Sequence, residues 1–222
     1  MDEQDRTRRF APAARRSPAV AGLILACALP EAILTGAGLG LWGDPGWRGE
    51  AVAWLGFWPG LLRDWQPNYP GQAWLMFLTY GFLHAGVLHF ALNMLTLASL
   101  GPPCARRLGE GRFLALYAAS IAGGALGFAA LARGYTPMVG ASGALFGLAG
   151  AILAWELKAR RLRRAAVWPV TRAVLILTGL NLLLWLAMNG LLAWQTHLGG
   201  FVTGWAAGLA LDRGARPPAR GD

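Results

Sequence analysis

Charge is what this chain has least of. Asp, Glu, Lys and Arg together make up 14% of its 222 residues, where a soluble domain carries roughly a quarter, so an ordinary water-facing surface is excluded. Cysteine is almost absent. Cys27 and Cys104 sit in or beside apolar stretches, far apart and without CxxC or Cys/His spacing, which argues against both a disulfide and a structural zinc. No HExxH occurs, and with it goes a leading helical signature of metallopeptidases. The N-terminal MDEQDRTRRFAPAARRSP is followed by an apolar run with no clear small-residue cleavage site. It is expected to be a cytoplasmic tail leading into a first span, not a signal for secretion.

What remains is apolar. Hydrophobic residues reach 55% and mean hydropathy is positive, which makes a bilayer the natural solvent. Six apolar segments can be drawn, at about 18–42, 82–101, 111–132, 140–157, 171–191 and 195–212, each approaching the roughly 20 residues of a helical span. The expectation is an all-α membrane protein, a six-transmembrane-helix bundle over 18–212 between a tail at 1–17 and a basic tail at 213–222. The stretch 43–72 does not fit as a span. It is broken by Pro45, Pro59, Pro67 and Pro70 and carries Trp47, Trp54, Trp58 and Trp65, as suits a loop among lipid headgroups, where indoles prefer to be.

The formal charge of +9 falls in short blocks between apolar segments, not along one amphipathic face as a nucleic-acid surface requires. Arg6, Arg8, Arg9, Arg15 and Arg16 precede the first span, and Arg106, Arg107 and Arg112 join the second to the third. Lys158, Arg160, Arg161, Arg163, Arg164 and Arg172 join the fourth to the fifth, and Arg213, Arg216 and Arg220 follow the sixth. The other connections hold only Arg48, Arg63 and Arg133. Positive charge stays inside, so both termini are expected in the cytoplasm and the second, fourth and sixth spans begin at the outer face. The same arginines favour anionic membrane lipid.

That orientation brings polar groups from three spans to one depth: His84, His89 and Asn93 at the start of the second, Ser142 at the start of the fourth and His197 at the start of the sixth. His89 and Asn93 are four residues apart and share a helix face, so they could aim two donors at one spot. Measured up the fourth helix from Lys158 at about 1.5 Å per residue, Ser142 lies about 24 Å away, just short of a ~30 Å hydrocarbon core. A serine at a helix start offers its own N–H, and the positive end of the helix dipole, to a developing oxyanion. Its hydroxyl needs a base to become a nucleophile, and an imidazole at the same depth is the natural one. Gly140 and Gly143 flank the serine and Gly147 follows; Gly200, Gly204 and Gly208 follow His197. Two such glycine faces let the fourth and sixth helices pack closely.

These residues carry a family resemblance. HAGVLHFALNM at 84–94, GASG at 140–143 and HLGGFVTG at 197–204 resemble the rhomboid intramembrane serine proteases, in the same order and the same respective helices. LGEGRFLALY at 108–117 is similar to that family's start of the third helix, and the resemblance runs over 73–210. It implies Ser142 as nucleophile and His197 as general base and acid, with no essential carboxylate. It implies an oxyanion site of Ser142 N–H, His89 and Asn93, with His84 structural. A broad interfacial loop at 43–72 and a mobile fifth helix at 171–191, both related to substrate access, belong to the same resemblance. So do transmembrane protein substrates that unwind at small or helix-breaking residues, the absence of a metal or organic cofactor, and a bacterial inner membrane as the setting.

Four positions depart from the family pattern. Leu75 and Met76 stand where a Trp-Arg pair is frequent, with Trp74 displaced by one; Ala105 stands where Glu is common; Phe146 replaces a frequent Tyr one turn beyond the serine. Phe146 keeps a ring to stack on the histidine but lacks the hydroxyl that can help seat it. Two other classes compete with hydrolysis. A catalytically silent rhomboid-like protein that binds and escorts membrane proteins would share the fold, although such proteins usually lack the serine and histidine. A transporter would string polar groups along a path, and its main support is Glu31 after Pro30, an expensive buried acid expected to be neutral or to face a polar gap. Three histidines at one depth suggest a metal only weakly, with no carboxylate or cysteine at their level.

Overall fold

A computed structural model describes residues 17–212. Apart from Ser17, the expected tails at 1–17 and 213–222, with Arg6, Arg8, Arg9, Arg15, Arg16, Arg213, Arg216 and Arg220, lie outside the described residues. Eight α-helices succeed one another within them: α1 Pro18–Gly38, α2 Trp47–Leu55, α3 Gln72–Thr79, α4 Val87–Leu108, α5 Glu110–Leu131, α6 Ser142–Leu162, α7 Trp168–Ala187 and α8 Trp194–Leu211. Short 3-10 turns occur at Pro59–Leu62 and Tyr80–Phe82. Helices α1, α4, α5 and α7 are long and apolar enough to cross a membrane, and the protein is an all-α multi-pass bundle embedded in a bilayer. Helices α6 and α8, of 21 and 18 residues, bury Gly143, Gly147, Gly200 and Gly204 inside the bundle.

Helix α1 begins on a cap. Ser17 Oγ accepts the Val20 N–H at 3.3 Å and donates to the Glu110 carboxylate at 2.8 Å, which also accepts the Ala19 N–H at 2.9 Å. Glu110 thus neutralises the positive ends of α1 and α5 together.

Helix α4 differs at both ends from the segment drawn at 82–101. It starts at Val87, after Gly86 with φ of 151°, a conformation that favours glycine, so His84 lies in the link before the helix and not on it. At the other end it continues through Pro102 and Pro103 to Leu108. Proline removes a helical N–H, so the carbonyls of Ala98 and Ser99, about two turns before Arg106 and Arg107, lose their helical partners.

The segment 43–72 holds more regular structure than a loop, since it contains the nine-residue α2, a helix too short to show the length or hydropathy of a span. Its last residue caps α2. The buried Gln72 amide donates to the Ala53 carbonyl at 2.8 Å and the Trp54 carbonyl at 3.2 Å, two of the groups that a helix C-terminus leaves open. An antiparallel bridge between Phe57 and Met138, with N···O distances of 2.9 and 3.0 Å, ties this segment to the strand-like stretch leading into α6.

The centre of the bundle is a glycine seam. A Cβ placed on Gly200 would run into the Gly143 carbonyl, and one on Gly204 into the carbonyl and Cα of Gly147. On its adjacent face, Gly199 meets Gly123 and Gly127 of α5 in the same way. Small residues allow this approach, and in lipid such contact is what holds helices together. Helix α7 is the opposite case. Among its residues only Val170 is buried.

Candidate functional site

Ser142 is the first residue of α6 and His197 lies in the first turn of α8. The chain reaches Ser142 through Gly140, whose φ of 125° suits glycine and whose N–H is held by the Tyr80 carbonyl at 2.9 Å. With the two helices pressed together along the seam, His197 Nε2 comes to 2.9 Å from Ser142 Oγ. The imidazole is buried at 6% exposure. Phe146 lies flat against it, with ring centroids 4.2 Å apart and planes 5° from parallel, so the stacking role expected of that ring is met. The other ring nitrogen, Nδ1, is 2.8 Å from Asn181 Oδ1 on α7. Both nitrogens of His197 therefore have a hydrogen-bond partner.

His89, on the first turns of α4, turns its ring toward the turn before Ser142. A Cβ on Gly140 would stand 2.7 Å from His89 Cε1 and 2.9 Å from Nε2, so glycine is needed there for space as well as for φ. His89 Nδ1 faces the Ala85 N–H at 3.4 Å. Asn93 shares the helix face, but its amide donates to the His89 backbone carbonyl at 2.8 Å. One amide hydrogen remains for other work, while Asn93 Oδ1 is buried without a partner among the described residues. His84 packs edge-on against His89 and Phe90, at centroid distances of 5.2 and 5.5 Å. Neither of its buried ring nitrogens has a partner among the described residues.

Glu31 requires a correction. Its carboxylate, expected to be neutral or to face a polar gap, is engaged by both terminal nitrogens of Arg48 at 2.9 Å each and by the Thr35 hydroxyl at 2.9 Å. The same guanidinium donates to the His84 backbone carbonyl at 2.7 Å. A buried acid held by a forked cation is a structural tie between α1, α2 and the link before α4. The observation that favoured a transporter is thereby accounted for.

Asn181, Arg48, Tyr80 and Thr196 join the site without having been singled out by the sequence pattern as site residues. The Tyr80 hydroxyl donates to the Ile121 carbonyl at 2.8 Å and lies 3.4 Å from Thr196 Oγ1, bracing α5 and α8 beneath the site. Asn181 carried a signal, since an amide inside an apolar helix is a functional hypothesis by default. Together the groups offer a hydroxyl beside an imidazole nitrogen, at the positive end of a helix and next to a second imidazole. Such a set can relay a proton during attack on a carbonyl and stabilise the resulting oxyanion.

The sequence matches the Rhomboid domain over residues 70–213. The chain belongs to the rhomboid family. It is 33% identical to Rhomboid protease GluP of Bacillus subtilis over 138 residues, covering 62% of this chain and 26% of that protein. It is 33% identical to the mitochondrial RHOMBOID-like protein 6 of Arabidopsis thaliana over 154 residues, 67% of this chain and 47% of that one. RHOMBOID-like protein 1 of the same plant is 36% identical over 141 residues, 62% and 34% respectively. The chain thus spans less than half the length of each of these relatives. The matched region, 70–213, contains His84, His89, Asn93, Ser142, Asn181 and His197, and leaves out Glu31 and Arg48.

Proposed function

We propose that this rhomboid-family chain is an intramembrane serine endopeptidase that cleaves other membrane proteins in or beside their transmembrane segments. The observation that carries the reading is the 2.9 Å contact between Ser142 Oγ and His197 Nε2 at the N-terminal ends of α6 and α8. In this reading α1, α4, α5, α6, α7 and α8 are six spans and both termini are cytoplasmic. The starts of α4, α6 and α8 then face the outer side, in a bacterial inner membrane. The segregation of arginines supports that orientation.

Attack forms a bond between Ser142 Oγ and the scissile carbonyl carbon while the hydroxyl proton passes to His197 Nε2. The carbonyl oxygen becomes an oxyanion, met by Ser142 N–H, the His89 ring and the free hydrogen of Asn93. His197 then protonates the leaving amine and the C–N bond breaks. Water, reaching the serine from the outer face, attacks the acyl carbon as it gives a proton to His197; His197 passes that proton to Ser142 Oγ as the acyl C–Oγ bond breaks and the carboxyl product leaves. The reaction needs no metal and no organic cofactor. His84 and the glycines at 140 and 143 support the geometry without touching substrate.

The test uses full-length protein in liposomes with a single-span test substrate and a fluorophosphonate probe. Wild type is expected to cleave and to be labelled at Ser142, whereas Ser142→Ala and His197→Ala lose both. Cleavage surviving either substitution refutes the mechanism. A wild-type chain that binds the substrate yet neither cuts nor labels is an escort protein instead.

A further inference from the structure

Helix α7 carries two polar side chains in its middle, and they behave differently. The Thr178 hydroxyl turns back to its own helix, donating to the Val174 carbonyl at 2.9 Å. Asn181 reaches out of the helix to His197 Nδ1 at 2.8 Å. It lies on a half-buried strip with Val174, Leu177 and Trp185, spaced three and four residues apart, while Leu180, Leu182, Leu183 and Leu184 face outward. The one inward polar group of this segment therefore meets the one imidazole that touches Ser142.

The chemistry of that contact is specific. An amide oxygen only accepts, so facing Nδ1 it requires the ring hydrogen on Nδ1 and leaves the lone pair on Nε2. That is the tautomer in which Nε2 can take the serine proton. Stacking on Phe146 sets the plane of the ring but not its rotation within the plane, and a second anchor at Nδ1 removes that freedom. We propose that Asn181 is the positioning residue of this site: its carbonyl oxygen holds the Nδ1–H of His197 and thereby fixes the tautomer and in-plane orientation that proton transfer at Nε2 requires. The inference deepens the hydrolytic reading above and rests on it for its kinetic consequence. It also gives α7, with little else of its length buried, a direct part in seating the base.

The experiment combines a readout of the ring with a readout of the reaction. Full-length protein labelled with 15N-histidine holds three imidazoles, and long-range 1H–15N correlation in detergent shows which nitrogen of each carries hydrogen, with His197→Ala assigning the signal. Wild type is expected to show His197 with hydrogen on Nδ1, Asn181→Leu to lose that preference, and Asn181→Asp, an acceptor without a donor, to keep it. In liposomes Asn181→Leu should lower kcat and the rate of fluorophosphonate labelling by on the order of 10- to 100-fold, with KM and melting temperature unchanged, and Asn181→Asp should recover most of the rate. Hydrogen on Nε2 in the wild type overturns the proposal, as does a wild-type rate in Asn181→Leu. So does a loss of rate that travels with KM and melting temperature and is not recovered by Asp. If the tautomer follows Asn181 as expected while no variant, wild type included, cleaves or labels, the positioning stands and the protease reading falls.

Discussion

Helices α8 and α7 both contribute a group to the same contact point, and they are held in opposite ways. Helix α8 brings His197 itself and is locked to α6 and α5 by backbone lying on backbone, at glycines where even one added carbon has no room. Helix α7 brings the acceptor for His197 Nδ1 and has one buried residue along its length. The hydroxyl-to-imidazole distance is thus fixed by the stiff pair, while the state of the imidazole is governed by a side chain on the loose helix. Separation and chemical readiness are divided between two structural regimes.

That division can be broken from the stiff side with the largest effect. Gly204→Val drives branched carbons into Gly147, so the helices must part; stability should fall by about 3 kcal/mol in a denaturant titration, and labelling of Ser142 should disappear although both reacting residues remain. A stable, labelled Gly204→Val protein would show that the seam does not set the spacing. Phe146→Leu keeps bulk behind His197 but removes the flat surface. A loss of about 1 kcal/mol in the same titration and roughly tenfold slower turnover are expected; unchanged turnover would leave the seam and Asn181 as sufficient guides. The smallest effect belongs to the outer face of α7. Leu183→Ala, at a residue 60% exposed, should leave stability within about 0.5 kcal/mol and turnover at the wild-type level. A larger loss there would mean that α7 is fastened more firmly than its burial indicates.

The sequence-to-structure relation divides along similar lines. The long apolar runs and the glycine spacing around Ser142 and His197 were legible, because span length and close packing each leave a periodic trace. The 43–72 segment was readable as a non-spanning stretch from its prolines, yet α2 was not, since so short a helix imposes neither span length nor strong hydropathy. The partner of Glu31 was hidden for a different reason: Arg48 is 17 residues away across a glycine- and proline-rich turn, and nothing local announces such a pairing. Asn181 carried a signal as an amide in an apolar helix, but its partner was not legible, because His197 lies 16 residues on and meets it only once α7 and α8 are packed. Asn93 was visible as a donor on the His89 face, but its bond to the carbonyl one turn back is a side-chain conformation that spacing does not specify.

The glycine seam also sets how many motions can disturb the reacting pair. With α6 and α8 touching peptide to peptide, the path from Ser142 Oγ to His197 Nε2 passes through rigid backbone except at three rotatable bonds, χ1 of the serine and χ1 and χ2 of the histidine. Neighbouring rings and hydrogen bonds restrain the histidine torsions. What is left is close to a single rotor, the serine hydroxyl, swinging in and out of alignment with a stationary ring.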